Sequence, residues 1–139
     1  MRRALLTATA VVSIGGLALP SSAAPPRKPI TKTYTASAAP SVAGLALLCA
    51  GGLPVNEHRE PFMPPAAGTL KVSQTTGVGD WDLVLLDAAG DAVAESANLG
   101  PGDESLSFKV KKAGAFTILS CNGLGAPTAT VTYTFTFAK

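Results

Sequence analysis

Asp80 and Asp82 stand two residues apart in the string Gly79-Asp80-Trp81-Asp82-Leu83. In an extended strand such positions leave the same face about 7 Å apart along the backbone, so two carboxylates there can share a hard cation such as calcium when other oxygens complete the shell. Asn98, Asp103 and Glu104 are the candidate additional ligands, and the metal set read from the sequence is Asp80, Asp82 and Glu104. The competing expectation is structural: carboxylates at a strand entrance accept hydrogen bonds from loop N–H groups and hold the turn. The string is not an EF-hand, because apolar residues follow where that loop needs further oxygen donors.

His58 is the chain's one imidazole. A site that needs two or three imidazoles cannot be assembled within one chain, which excludes an H-E-x-x-H metalloprotease. The residue lies in Asn56-Glu57-His58-Arg59-Glu60, between Pro54 and Pro61, and reads as part of a solvated polar loop. Serine is common enough for a Ser-His-Asp arrangement, but no Gly-x-Ser-x-Gly elbow exposes a nucleophile. Trp81 is the sole tryptophan. On an exposed face near Tyr34 or Tyr133 it could stack on a sugar ring. Because Leu83 and Leu85 share its face, it is expected instead to fill a core beside the cysteines. Trp81 and His58 are the candidate binding residues. No glycine-rich phosphate loop, repeat array or basic block suited to nucleic acid is present.

The elements that position these side chains begin with an address. Met1, Arg2 and Arg3 precede an apolar stretch at 4–19, and small residues at 20–23 precede a cleavage point, the pattern of a secretory signal peptide over residues 1–23. The Arg pair lacks the rest of a twin-arginine motif, so the ordinary secretory route is expected. Of the 11 basic residues, Arg2 and Arg3 leave with the signal, so the remaining 9 balance the 9 acidic ones and the exported chain is neutral. Nothing in that balance steers it to DNA or an anionic membrane. The apolar run at 42–53 is too short to span a bilayer. Leu48 stands where a lipidation box needs a small residue before Cys49, so no membrane anchor is expected.

Cys49 and Cys121 are an even pair in an exported chain, and a disulfide is the expected state. A nucleophilic cysteine would need His58 as base and a free partner thiol. A zinc site built from both cysteines and His58 would need a fourth ligand.

Residues 24–40 read as a flexible proline-rich tail and 41–139 as the folded domain. The chain repeats one grammar: six to ten residues rich in Val, Thr, Leu and Phe, then a turn on Gly, Pro, Asp or Asn. The runs fall at 31–37 (assigned to the tail or to a first strand), 42–49, 61–63, 69–75, 81–87, 92–98, 105–111, 115–121 and 129–137. No stretch keeps helical spacing over three turns. In the last run Ala129, Val131, Tyr133, Phe135 and Phe137 face one way and five threonines the other, which makes the aromatic side core and the threonine side wet. That threonine face suggests a surface for ice or another flat ligand, but one strand is not an array. Residues 81–86 are apolar on both faces, as in a central strand covered on both sides. Asp87 to Asp91 is a hairpin turn with Gly90 at a positive φ, and Lys112-Ala113-Gly114 is expected to act likewise. The fold class is all-β: a two-sheet antiparallel β-sandwich, jelly-roll or Ig-like, with about eight strands and one disulfide.

The order of short motifs resembles the bacterial pre-peptidase C-terminal domain. The residues are Gly68-Thr69-Leu70-Lys71-Val72, Gly79-Asp80-Trp81-Asp82-Leu83, Asp87-Ala88-Ala89-Gly90, Glu104, and Gly114-Ala115-Phe116 leading into a penultimate strand. The match covers roughly residues 61–137. The resemblance implies a β-sandwich that accompanies secreted enzymes and in some members binds collagen or polysaccharide, in a few with calcium. Phe116 stands where that family commonly has Tyr, no catalytic domain precedes these motifs, and the cysteine pair is not a general family feature.

The expected function is that of a secreted, monomeric, non-catalytic binding or accessory module for an extracellular matrix polymer or protein surface, with calcium as a possible cofactor. The alternative is a small secreted inhibitor or effector that inserts its 54–61 loop into a partner's cleft.

Overall fold

The computed structural model describes residues 26–41, 49, 54–98 and 100–139. Eight strands are formed in that set: β1 (Ile30–Ser37), β2 (Glu57–Phe62), β3 (Gly68–Thr75), β4 (Gly79–Leu86), β5 (Ala92–Ser96), β6 (Glu104–Val110), β7 (Phe116–Gly125) and β8 (Thr128–Phe137). The only helical element among the described residues is a single 3-10 turn at Pro54–Asn56. All pairings are antiparallel and they nest: β1 with β8, β2 with β7, β3 with β6, β4 with β5. The chain is thus one long hairpin whose tip is the β4–β5 turn. Rolling it up adds β3–β8 and β4–β7 contacts and yields sheets of order β1-β8-β3-β6 and β2-β7-β4-β5. This winding is a jelly roll and not an Ig arrangement, a distinction that strand count alone does not make.

The alternation in β8 sets the core. Val131 and Phe135 are wholly buried, and Tyr133 packs its ring 5.1 Å from that of Phe62. Leu70, Val72, Leu106 and Val110 from the same sheet face Trp81, Leu83, Leu85 and Ile118 from the other. β4 is buried on both sides as expected, because Val84 and Leu86 join Leu119 and Cys121 in a second apolar cluster on the outer face of sheet β2-β7-β4-β5. The disulfide joins Cys121 to Cys49 across a Cα separation of 5.4 Å and ties position 49 to that outer face.

The tip turn follows its sequence. Gly90 has a φ of 90°, and Asp87 Oδ1 accepts from the backbone N–H of Ala89 and of Asp91 at 2.9 and 3.0 Å. Another glycine pair is required where β4 meets β7: Gly79 and Gly125 both have positive φ, and a Cβ on Gly125 would lie 2.4 Å from Gly79 Cα.

Several boundaries differ from the sequence reading. Residues 30–37, placed in the 24–40 tail with a strand as the alternative, form an edge strand, since Thr31, Thr33 and Thr35 pair with the threonines of β8 while Ala36 enters the core. The run at 61–63 is only the end of β2, which starts at Glu57 because charged side chains are tolerated on an edge strand. Lys112 to Gly114 is not a hairpin turn, since it carries the chain from β6 in one sheet to β7 in the other. The strand expected at 42–49 and the signal peptide at 1–23 lie outside the described residues, apart from Cys49.

Candidate functional site

The Asp80–Asp82 entrance lies where β4 runs beside β7. Asp80 pairs with Leu124 but Trp81 pairs with Asn122, so the ladder skips Gly123 and β7 carries a bulge there. Asp82 is 7% exposed, and Asp80 is half-buried with its Oδ1 sealed from water and without a hydrogen-bond partner among the described residues. Burial, and then the charges of Asp80 and Glu104, push the Asp82 carboxyl up to about 6.

Glu104, the third residue of the expected metal set, has another job. It is 1% exposed. Its Oε1 accepts the backbone N–H of Asn98 at 3.0 Å, and its Oε2 accepts from the Asn98 side-chain amide at 3.1 Å and from the Ser96 hydroxyl. This carboxylate therefore closes the β5–β6 connection, the structural role expected of acids at a strand entrance. Asn98 is bound to it through both its backbone and its side-chain amide. Among the described residues no three acidic, His or Cys side chains converge as metal ligands. Glu104 stands to the aspartate pair as a neighbouring charge whose oxygens are engaged by Ser96 and Asn98.

That pair makes a pH prediction. In metal-free buffer with a chelator, the folded Asp82 holds its proton to about pH 6, whereas the unfolded chain releases it near 3.9. Between these values the unfolded state binds fewer protons, so the Asp82 contribution to stability falls as pH rises and is fully unfavourable above pH 6. Asp82→Asn is expected to be more stable than the native chain by on the order of 2 kcal/mol at neutral pH, the gain shrinking as pH falls through 6 and gone by about pH 4. Urea unfolding from pH 4 to 7.5 measures the gap; a gap independent of pH refutes it.

His58 is not in a loop. It sits in edge strand β2 opposite Ser120, stacked on Tyr34 with ring centroids 5.5 Å apart, and its Nδ1 accepts the Ser37 N–H at 3.4 Å. Ser120 is wholly buried, and neither its hydroxyl nor that of Tyr34 has a hydrogen-bond partner among the described residues. Burial foremost, and then the charge of Glu60, push the Tyr34 hydroxyl up. A serine sealed from substrate is no nucleophile, and the facing Ser–His pair is part of a polar interior layer. Because 57–62 is a paired strand and 54–56 a helical turn, the inhibitor loop expected at 54–61 is not formed.

Trp81 is 1% exposed, so it offers no stacking platform. Its indole N–H donates to the Ala126 carbonyl at 3.1 Å, which Asn122 also caps at 2.9 Å, and together they pin the β7–β8 turn. The ring fills the space between the sheets, whereas the disulfide lies on the outer face of the same sheet. The expected neighbourhood of ring and bridge is therefore replaced by opposite sides of β4 and β7.

The sequence reading missed the outer face of sheet β1-β8-β3-β6. In the sequence the threonine row of β8 stands as one strand, and only the register shows that its neighbours continue it.

Fold and bridge together define a small disulfide-closed jelly-roll module. No family model matches the chain, and no curated protein does. Among solved structures the chain is similar to the pre-peptidase C-terminal domain of collagenase from Bacillus anthracis, at 14% identity and a TM-score of 0.49 over 75% of this chain and 87% of that one. It is also similar to a Bacillus endospore appendage protein described as forming disulfide-linked pili, at 18% identity and a TM-score of 0.33 over 80% and 87%.

Proposed function

We propose that this chain is an exported, non-catalytic accessory module that contacts an extracellular polymer or protein surface and is stabilised by calcium at Asp80 and Asp82. The Cys49–Cys121 bridge carries the reading, because such a bond persists in an oxidising compartment outside the cytosol. Buried Trp81, structurally engaged Glu104 and sealed Ser120 support a role in which polar groups hold the sandwich and contact falls to its outer surfaces. The aspartate pair fits a hard cation by donor chemistry: the sealed Oδ1 of Asp80 lacks a partner among the described residues, and the Asp82 carboxylate is disfavoured by burial and then by like charge. Bound calcium would supply countercharge and hold the Gly79 entrance of β4.

Two measurements test this. Millimolar calcium is expected to raise the melting temperature of the native protein and to leave Asp82→Ala unchanged; no shift in the native protein removes calcium from the reading. Retention on collagen, cellulose, chitin or acidic polysaccharide is expected for at least one, and absence of retention on all of them overturns the accessory role.

A further inference from the structure

Side chains alternate across a sheet, so the inward residues of β1, β8, β3 and β6 fix which residues face out. Every outward position of these four strands is Ser, Thr or Lys. The registers align them into rows across the sheet. One row runs Thr31, Thr134, Lys71, Ser107, and the next runs Thr33, Thr132, Ser73, Ser105. Neighbours within a row are about 4.8 Å apart and rows about 7 Å apart. The hydroxyls of Thr31 and Thr134 meet at 3.1 Å and those of Thr33 and Thr132 at 2.9 Å, which holds their rotamers. The face is slightly hollowed where Lys71, Ser73, Ser105, Ser107, Thr134 and Thr136 meet.

Charge is segregated on the molecule. The nine acidic side chains of the chain lie on β2, β4 and β5, in the loops, and inside at Glu104, while Lys71 and Lys109 are the charged residues among the described outward positions of these four strands. A hydroxyl both donates and accepts, so it matches a sugar hydroxyl in either sense. The two ammonium groups add attraction for an anion that no neighbouring carboxylate cancels.

We propose that the outer face of sheet β1-β8-β3-β6 docks an acidic polysaccharide laid across the strands, with Lys71 and Lys109 pairing with its acid groups and the Ser and Thr rows meeting its hydroxyls. This rests on the accessory-module reading and names the surface and the chemical class of its partner. A lattice such as ice fits less well, because adjacent strands rotate by about 20° and a twisted face does not follow a plane.

Affinity electrophoresis of the oxidised protein through gels containing polygalacturonate tests it. Retardation is expected at low salt and is lost at high salt. Lys71→Glu with Lys109→Glu is expected to weaken retardation about tenfold while the melting temperature stays unchanged. Arg59→Glu with Lys112→Glu makes the same change in net charge away from the face and is expected to be retarded as much as the native protein, each measured against its own mobility in a gel without polygalacturonate. Equal loss in both variants, or no retardation by polygalacturonate, overturns the inference. Binding to collagen or a neutral glucan that Lys71→Glu with Lys109→Glu leaves intact also overturns it, yet leaves the accessory-module reading standing.

Discussion

Removing the bridge by Cys49→Ala with Cys121→Ala is expected to lower stability by about 4 kcal/mol, because the bond closes a separation of 72 residues and the entropy restored to the unfolded chain grows with loop length. For a domain of this size that corresponds to a melting temperature lower by about 15–25 °C. The physical reason lies in the order of the chain. Position 49 precedes β2, an edge strand, while Cys121 is in β7 between β2 and β4, so the bond staples an early segment to a strand placed late. Alanine at 121 keeps the apolar contact with Val84, Leu86 and Leu119 and isolates the effect of the cross-link. Calorimetry of the native chain with and without reductant provides the second measurement. A shift of only a few degrees in both experiments means that the bridge adds little to the sandwich.

Trp81→Ala is expected to cost about 3–5 kcal/mol, the range for deleting a large aromatic from a packed core. Trp81 is among the largest fully buried side chains and reaches from β4 to the β7–β8 turn. Trp81→Phe separates two contributions. It keeps an aromatic ring in the core but removes the N–H and part of the indole volume; since Asn122 still donates to the Ala126 carbonyl, the loss from the missing bond is about 1 kcal/mol, and the total is expected to stay below that of Trp81→Ala. Urea unfolding followed by circular dichroism measures both. If Trp81→Phe costs as much as Trp81→Ala, the hydrogen bond dominates and the packing account of this residue is wrong.

The neighbourhood of Asp80 and Asp82 shows how far local sequence reaches. Two acids at a strand start were legible, and so was the choice between a cation and a structural role. Which acid takes which role was not, because Glu104 acts through Ser96 and Asn98, residues that meet it only once β5 and β6 lie in opposite sheets. The His58 segment was misread for a similar reason. Charged residues between prolines resemble a loop, yet an edge strand tolerates them when its inward positions, His58, Glu60 and Phe62, are received by a polar layer and an aromatic core.

What the sequence determined by itself is everything with a short period: the alternation that makes β8 amphipathic, the two-sided burial of β4, the Gly90 turn, and a cysteine pair that oxidation would join. These depend on residues within a few positions of one another, or on composition. The tertiary structure alone decided which strands are neighbours. That placed the threonines of β1 beside those of β8 and the serines of β3 and β6 beyond them, turning one wet strand into a four-strand hydroxyl face. Antiparallel pairing across separations as long as the whole domain leaves no local trace, since its free energy comes from closing one apolar core between two sheets.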